Sequence, residues 1–364
     1  MEKRMEKWHI VFRADASNAI GLGHLMRCYA FAEGLPLSII PHLVIKESVD
    51  VKQMIDFLVS KGWGIHTLPS KTTWENDAEH TARFARYVRA PIIVTDLGTQ
   101  DTLNHPLKLS RYHTELKKHG DAFVLSIEDT RTKIFSSDAA FIYNSVGKKD
   151  ARREVLNGCV VLEDIKYFIC HPRIAEAGSE NKIIEKKASR VVVSISGSDP
   201  FGITPKVAEA LGMFPNDVIS AKIVAGTAMK ETDRKLVEKF VKDKKNIKIV
   251  RFTDKFYSML LWADIAVLGE GLTKFESAII GTPTLMITQF SDDTEPVIKD
   301  FLSLGSARYI GQGAKLSSEE IFLEIQKFLN EYEVRRLMSL AGKQSLDGRG
   351  AERIYNEVLK KVLT

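Results

Sequence analysis

The sequence predicts an α/β protein built from two doubly wound domains. Short β-branched runs alternate with helix-period segments along the chain, the pattern of stacked βαβ units around parallel sheets. Most of these runs are apolar at consecutive positions, as strands covered by helices on both faces are. The 364 residues also exceed what one hydrophobic core usually fills, which leads to two domains of roughly 150–180 residues.

In the first half, strands are expected at Trp8–Arg13, His42–Lys46, Gly64–Leu68, Ile92–Asp96, Ala122–Ile127 and Ala139–Tyr143. Between them fall helices near His24–Glu33, Val51–Lys61, Glu75–Arg89 and Leu107–His119. The stretch His171–Lys187 is charged, carries Pro172 and Gly178 and lacks a strand pattern, so residues 172–188 are read as a linker between domains 1–171 and 189–364. A second βα series follows, with strands Arg190–Ile195, Ala221–Val224, Ile247–Val250, Asp264–Val267 and Thr284–Ile287. The C-terminal stretch of about 45 residues is helical by pattern, and its last helix is a candidate to pack back on the N-terminal domain.

Bulk composition excludes several classes. At 44% hydrophobic and 27% charged residues the chain is neither fibrous nor disordered. No apolar run approaches the ~18 residues of a membrane span, and the best candidate, Phe256–Leu268, is cut by Asp264. Acidic residues near Met1 and the lack of an apolar segment argue against a signal peptide. Three widely spaced cysteines, Cys28, Cys159 and Cys170, fit reduced thiols and a cytoplasmic location. The net charge of +5 is spread out, and the Lys242–Lys248 cluster reads as a solvated helix end, so no nucleic-acid partner is expected. Without an H-x-x-x-H, a Cys/His cluster or a D-x-D pair, neither metal nor cofactor is expected; a G-x-S-x-G elbow is absent too. All nine histidines lie at or before His171, so a histidine base would come from the N-terminal domain.

Three strand–loop–helix junctions could carry chemistry, because ligands of open α/β sheets bind outside the carboxyl ends of strands. The first runs from Arg13 through Asp15 and Ser17 to Gly21, Gly23, His24, Arg27 and Cys28. Its glycines allow close backbone approach, and the helix start favours an anion. The third glycine of a dinucleotide fingerprint is missing, since position 26 is Met. In the first helical turn the helix dipole disfavours imidazolium, which suits His24 to act as a base; the plainer alternative is a packing or capping histidine. The second junction contains Gly197, Ser198 and Asp199, followed by Thr204 as the expected N-cap and Pro205 near N1. The third contains Gly269, Glu270, Gly271, Thr273, Lys274 and Glu276. There glycine amides or Thr273 would hold phosphate, with Lys274 nearby, and Glu276 would grip a diol such as ribose; the plainer alternatives are a capping Glu276 and a solvated Lys274. Two such helix starts in one domain suit a nucleoside diphosphate. Asp96 and Asp129, at strand ends, are weaker candidates better explained as helix caps, and Asp292, Asp293 and Glu295 form an acidic group after Ile287.

These residues resemble a known family. The run from Arg13 to Cys28 is similar to the N-terminal motif of the UDP-2,4-diacetamido-2,4,6-trideoxy-β-L-altropyranose hydrolases of pseudaminic acid biosynthesis, and of the related spore coat polysaccharide biosynthesis proteins. In family order follow Ile127–Asp129, the segment from Asp138 to Asn144, Val161–Tyr167, Gly197–Pro200 and Asp347–Arg353. The resemblance implies a GT-B fold, two Rossmann-like domains facing across a cleft, with UDP on the C-terminal domain. It makes His24 the candidate base, with Asp15 in the same loop to orient it or replace it, and Glu276 the ribose contact. Arg13, Gly21, Gly23, Asn144, Gly197, Ser198, Asp199, Gly271, Thr273, Asp292 and Asp293 become candidate substrate contacts. Two loops depart from the family. Gly269-Glu270-Gly271-Leu272-Thr273 stands where the family has Gly-Gly-Ser/Thr-Thr, and Ser291-Asp292-Asp293 where it has Glu/Asp-Asn-Gln. The expected activity is metal-independent hydrolysis of a UDP-linked amino- or deoxysugar. The alternatives are a glycosyltransferase using a UDP-sugar donor and a non-catalytic UDP-sugar-binding subunit.

Overall fold

The computed structural model describes all residues except 1–6, 18–20, 99–104, 129–131, 146–152, 227–228, 252, 254 and 290–294. It divides into two compact units, Met1–Pro172 with Arg349–Thr364, and Arg173–Gly348.

In the first unit seven parallel strands lie in the order β3-β2-β1-β4-β5-β7-β9. They are β1 (Trp8–Ala14), β2 (Ile39–Lys46), β3 (Gly64–Leu68), β4 (Ile92–Asp96), β5 (Phe123–Glu128), β7 (Ala139–Ile142) and β9 (Val160–Glu163). Two short strands, β6 (Ile134–Phe135) and β8 (Glu154–Val155), pair separately. Both sheet faces are covered: Ile10 and Phe12 of β1 join one apolar cluster with Leu43, Val94, Leu125 and Phe141, while Val11 joins Val44, Ile93 and Val124 on the other. This two-sided burial is the reason the strands read as continuous apolar runs.

Arg349–Thr364 completes this unit, burying Ile354, Leu359 and Leu363 in the first cluster. The motif residues of this segment have packing roles. A Cβ on Gly350 would lie 2.1 Å from the Phe168 carbonyl oxygen, so only glycine allows the approach. Arg353 donates to the Lys166 carbonyl at 3.0 Å, and the Tyr167 hydroxyl donates to Glu357 at 2.8 Å.

The second unit holds six parallel strands in the order β12-β11-β10-β13-β14-β15. These are β10 (Arg190–Ser194), β11 (Ser220–Ala225), β12 (Ile247–Arg251), β13 (Ile265–Leu268), β14 (Thr284–Thr288) and β15 (Ala307–Gln312). Val191, Val193, Ile223, Ile265 and Val267 anchor its core.

Besides the two-residue strands β6 and β8, which the pattern does not show, three features differ from the sequence reading. β9 and β15 are strands that the pattern did not separate from loop. Within the stretch read as a linker, Pro172–Ser179 is a helix that belongs to the second unit from Arg173 onward, with Ile174 and Ala177 buried. It packs so closely on Ile279 that a Cβ on Gly178 would be 2.8 Å from the Ile279 carbonyl oxygen. Asp264, read as the first residue of a strand, instead precedes β13 and accepts from the backbone N–H groups of Ser189 and Arg190 and from the Arg190 guanidinium.

Candidate active site

The carboxyl end of β1 in the first unit gathers two arginine–carboxylate clusters. Arg13, buried on β1, donates to both oxygens of Asp77 (2.8 and 2.6 Å) and both oxygens of Asp15 (2.7 and 2.8 Å). Asp15 also accepts from the Lys46 backbone N–H at 3.0 Å, and Asp77 from the Tyr112 hydroxyl at 2.8 Å. Burial by itself would push the Asp77 carboxyl up; hydrogen bonds and charge from Arg13 outweigh it and hold the group below the usual aspartate range. Both carboxylates are therefore engaged as acceptors. Asp15 does not contact His24, as the sequence reading had allowed.

The orienting carboxylate is Asp96. β4 lies beside β1, with Ala14 opposite Asp96, so the end of β4 faces the helix that follows β1. That helix, Gly23–Glu33, carries His24 and Arg27 one turn apart on the same side. His24 Nδ1 lies 2.6 Å from Asp96 Oδ1, and Arg27 donates to Asp96 Oδ2 through Nε (2.7 Å) and to Oδ1 through Nη2 (2.6 Å). Asp96 is completely buried. Desolvation would raise its carboxyl, but the Arg27 and His24 charges and their hydrogen bonds outweigh burial and hold it at about 2. An ionised carboxylate only accepts, so the proton of the contact sits on Nδ1, and whenever the ring is uncharged its lone pair is left on Nε2. His24 is half-buried; a Cβ on the neighbouring Gly23 would meet nothing within 4 Å, and Gly21 adopts φ +81°, which favours glycine. Asn144 is buried directly after Tyr143, whose hydroxyl accepts from Arg27 Nη1.

The second unit places its glycine-rich loops at the carboxyl ends of β10 and β13. A Cβ on Gly226 would be 2.1 Å from the Gly197 carbonyl oxygen, and one on Gly269 equally close (2.1 Å) to that of Ile195, so these glycines let neighbouring loops touch. Gly197 and Gly271 are exposed, with open space where a Cβ would stand. Thr273 opens the helix Thr273–Ile280, and Ser198 is half-buried in the first loop.

Here the structure corrects a role. The helix Ile203–Gly212 is capped by Asp199 and not by Thr204. The buried carboxylate accepts from the Ile203 and Thr204 backbone N–H groups at 3.0 and 2.6 Å. The turn that brings it there needs φ +41° at Asp199 and +63° at Gly202. Those two N–H groups are consequently filled by the protein's own anion. Glu270 plays a similar part in the other loop, accepting from the Gln289 backbone N–H at 3.0 Å. Lys274 is buried against Phe275 and Phe301 and donates to the Glu270 carbonyl, shaping its loop.

Glu276 is different. It is half-buried on the first turn of its helix, and its carboxyl is pushed up to about 7 by desolvation alone. Asp292, Asp293 and Asp129 lie outside the described residues. Among the described residues no His/Cys/Asp/Glu group is arranged to hold a metal, and no helix is long and apolar enough to cross a membrane.

Two parallel doubly wound sheets, each with glycine-rich helix starts at its carboxyl edge, define the GT-B fold, and the solved structures agree. MurG of Acinetobacter baumannii aligns with a TM-score of 0.58 and 11% identity over 97% of this chain and 99% of its own. The UDP co-structure of MnaA from S. aureus aligns with 0.61 and 12% over 99% and 97%. The calicheamicin glycosyltransferase CalG4 aligns with 0.62 and 12% over 99% of both. In sequence, the chain is similar to the spore coat polysaccharide biosynthesis protein SpsG of Bacillus subtilis, 23% identical over 346 residues, covering 95% of this chain and 96% of the relative. No family model matches.

Proposed function

We propose that this protein is a UDP-sugar-processing enzyme of polysaccharide biosynthesis that hydrolyses a UDP-linked amino- or deoxysugar, with His24 as the base. The observation that carries the reading is the 2.6 Å contact of His24 Nδ1 with the buried, ionised Asp96. It fixes the tautomer in which Nε2 can take a proton. Pure binding would need the open glycine loops but no oriented imidazole. Water held at Nε2 loses its proton as it attacks the anomeric carbon, the anomeric C–O bond breaks, and UDP leaves with the bonding electrons. Charge growing on the diphosphate would be met by loop amides around Gly197 and Gly271 and by the dipole of the helix Thr273–Ile280. Glu276 is suited to accept hydrogen bonds from the ribose diol, and the fold is shared with MnaA of S. aureus, which was solved with UDP.

A second reading has its own support. The same dyad would deprotonate an acceptor hydroxyl, and the fold is shared with the glycosyltransferase CalG4. A panel of UDP-amino sugars incubated in ¹⁸O-water, with and without saccharide acceptors, separates the two. Hydrolysis releases UDP without acceptor and places ¹⁸O on the sugar. Acceptor-dependent release without label establishes the transferase, and no release under either condition refutes both.

A further inference from the structure

The base reading leaves a buried cation beside His24 without a task. Arg27 is 7% exposed, and a guanidinium is rarely buried without a specific partner geometry. Its contacts are directional. Nε and Nη2 take the two oxygens of Asp96 side by side, Nη1 donates to the Tyr143 hydroxyl, and the guanidinium carbon stands 4.8 Å from the Tyr143 ring centroid. Nη2 also lies 3.2 Å from His24 Nδ1. Two donors that close cannot point at each other, so both hydrogens turn to the shared acceptor Asp96 Oδ1.

We propose that Arg27, anchored by Tyr143, is a positioning residue for the His24 base: its two-point grip fixes the plane of the Asp96 carboxylate and thereby the Nδ1–H tautomer that exposes Nε2. With donors from Arg27 Nε, Arg27 Nη2 and His24 Nδ1 converging on it, Asp96 already accepts three hydrogen bonds, two of them from a fixed cation. A carboxylate so loaded is a poor proton acceptor, so a proton gained at Nε2 stays on the ring instead of passing to Asp96. The chain Tyr143–Arg27–Asp96–His24 thus ties the base to the segment after β7 that holds Asn144. The functional consequence rests on the hydrolase reading above; the tautomer itself does not.

The test uses the full-length protein labelled with ¹⁵N in its histidines, with the His24 signals assigned by their loss in His24→Gln. In its uncharged form the wild-type His24 ring is expected to be protonated on Nδ1 and bare on Nε2. Arg27→Met should give averaged nitrogen shifts, the mark of a tautomer mixture, and lower kcat by about 10–100-fold, the usual size for a partner one shell removed. Tyr143→Phe, which keeps the ring and removes one hydroxyl, covers the case in which Arg27→Met does not fold; it should move the shifts the same way by less, with KM unchanged. A purely structural Arg27 predicts reduced thermal stability with wild-type nitrogen shifts in both variants, and that result overturns the proposal. If the wild type shows the Nδ1–H signature and the variants lose it, but no UDP-sugar is turned over, the positioning stands and the hydrolase reading fails.

Discussion

Replacing Asp96 by Asn exchanges one buried oxygen for an NH₂ group while keeping shape. Three donors converge on the native carboxylate, from Arg27 Nε, Arg27 Nη2 and His24 Nδ1. An asparagine offers one oxygen, so at least one donor then faces another donor, and the Arg27 charge is left uncompensated. The native carboxyl is held at about 2, against ~3.9 in an unfolded chain, worth about 2–3 kcal/mol at neutral pH. Breaking a buried pair by removing one charge costs about 3–5 kcal/mol. The variant should thus lose roughly 3 kcal/mol in urea unfolding at pH 7. The sign of the pH dependence follows from the lowered folded value: the stabilisation is complete above about pH 4 and disappears as pH falls through about 2, so the gap between wild type and variant should close over that window. Under conditions where the variant stays folded, kcat for UDP release should fall about 10²–10⁴-fold, because the ring loses its fixed tautomer. Near-normal turnover in a folded variant would refute the dyad, and a stability gap that does not change between pH 5 and 2 would refute its electrostatic basis.

Other consequences are open to measurement. Glu276 stays protonated in the folded state up to about pH 7, whereas the unfolded chain ionises near 4.3, so wild-type stability should decline across that interval and Glu276→Gln should flatten the decline; identical pH profiles would show that the carboxyl is solvated. The same variant should weaken UDP binding by about tenfold if the carboxylate grips the ribose diol, read by calorimetry with uridine diphosphate. His42 and His66 are both pushed below the ordinary histidine range, mainly by burial, His42 also by the His9 ring that lies 2.7 Å away. Their neutral forms therefore support the fold above about pH 6.5, and that support drains away as pH falls below it; His66→Phe should melt with a shallower acid dependence than wild type. Gly64→Ala would put a Cβ 2.3 Å from His42 Nδ1 and should cost about 1–3 kcal/mol through the displaced ring.

How much of this was legible in sequence depends on how far apart the interacting residues lie. β4 is found where the pattern puts it, because a strand buried on both faces reads as an apolar run with clear ends. His24 stood out because strand end, glycine loop and helix start are contiguous. Its partner did not. Asp96 is 72 residues away, and only the placement of β4 beside β1 brings it to the ring; in the sequence it is one strand-end aspartate among several, while Asp15 is merely closer along the chain. Arg27 was visible in the motif, but its task depends on that same adjacency. Thr204 looked like the cap because it sits nearest the helix start, while the true cap, Asp199, reaches back through a turn with two positive φ angles that sequence pattern does not reveal. The helix Pro172–Ser179 had its signal in proline at the first position, masked by the charged residues around it.

The central claim divides the labour between a base on the first unit and a nucleotide seat on the second, and His24→Asn tests both halves at once. Turnover of a UDP-amino sugar by this variant, set beside its affinity for UDP and its unfolding midpoint, should show kcat down by about 10²–10⁴-fold with UDP affinity and stability close to wild type. A variant that keeps wild-type turnover, or that loses UDP affinity in step with activity, would contradict the account.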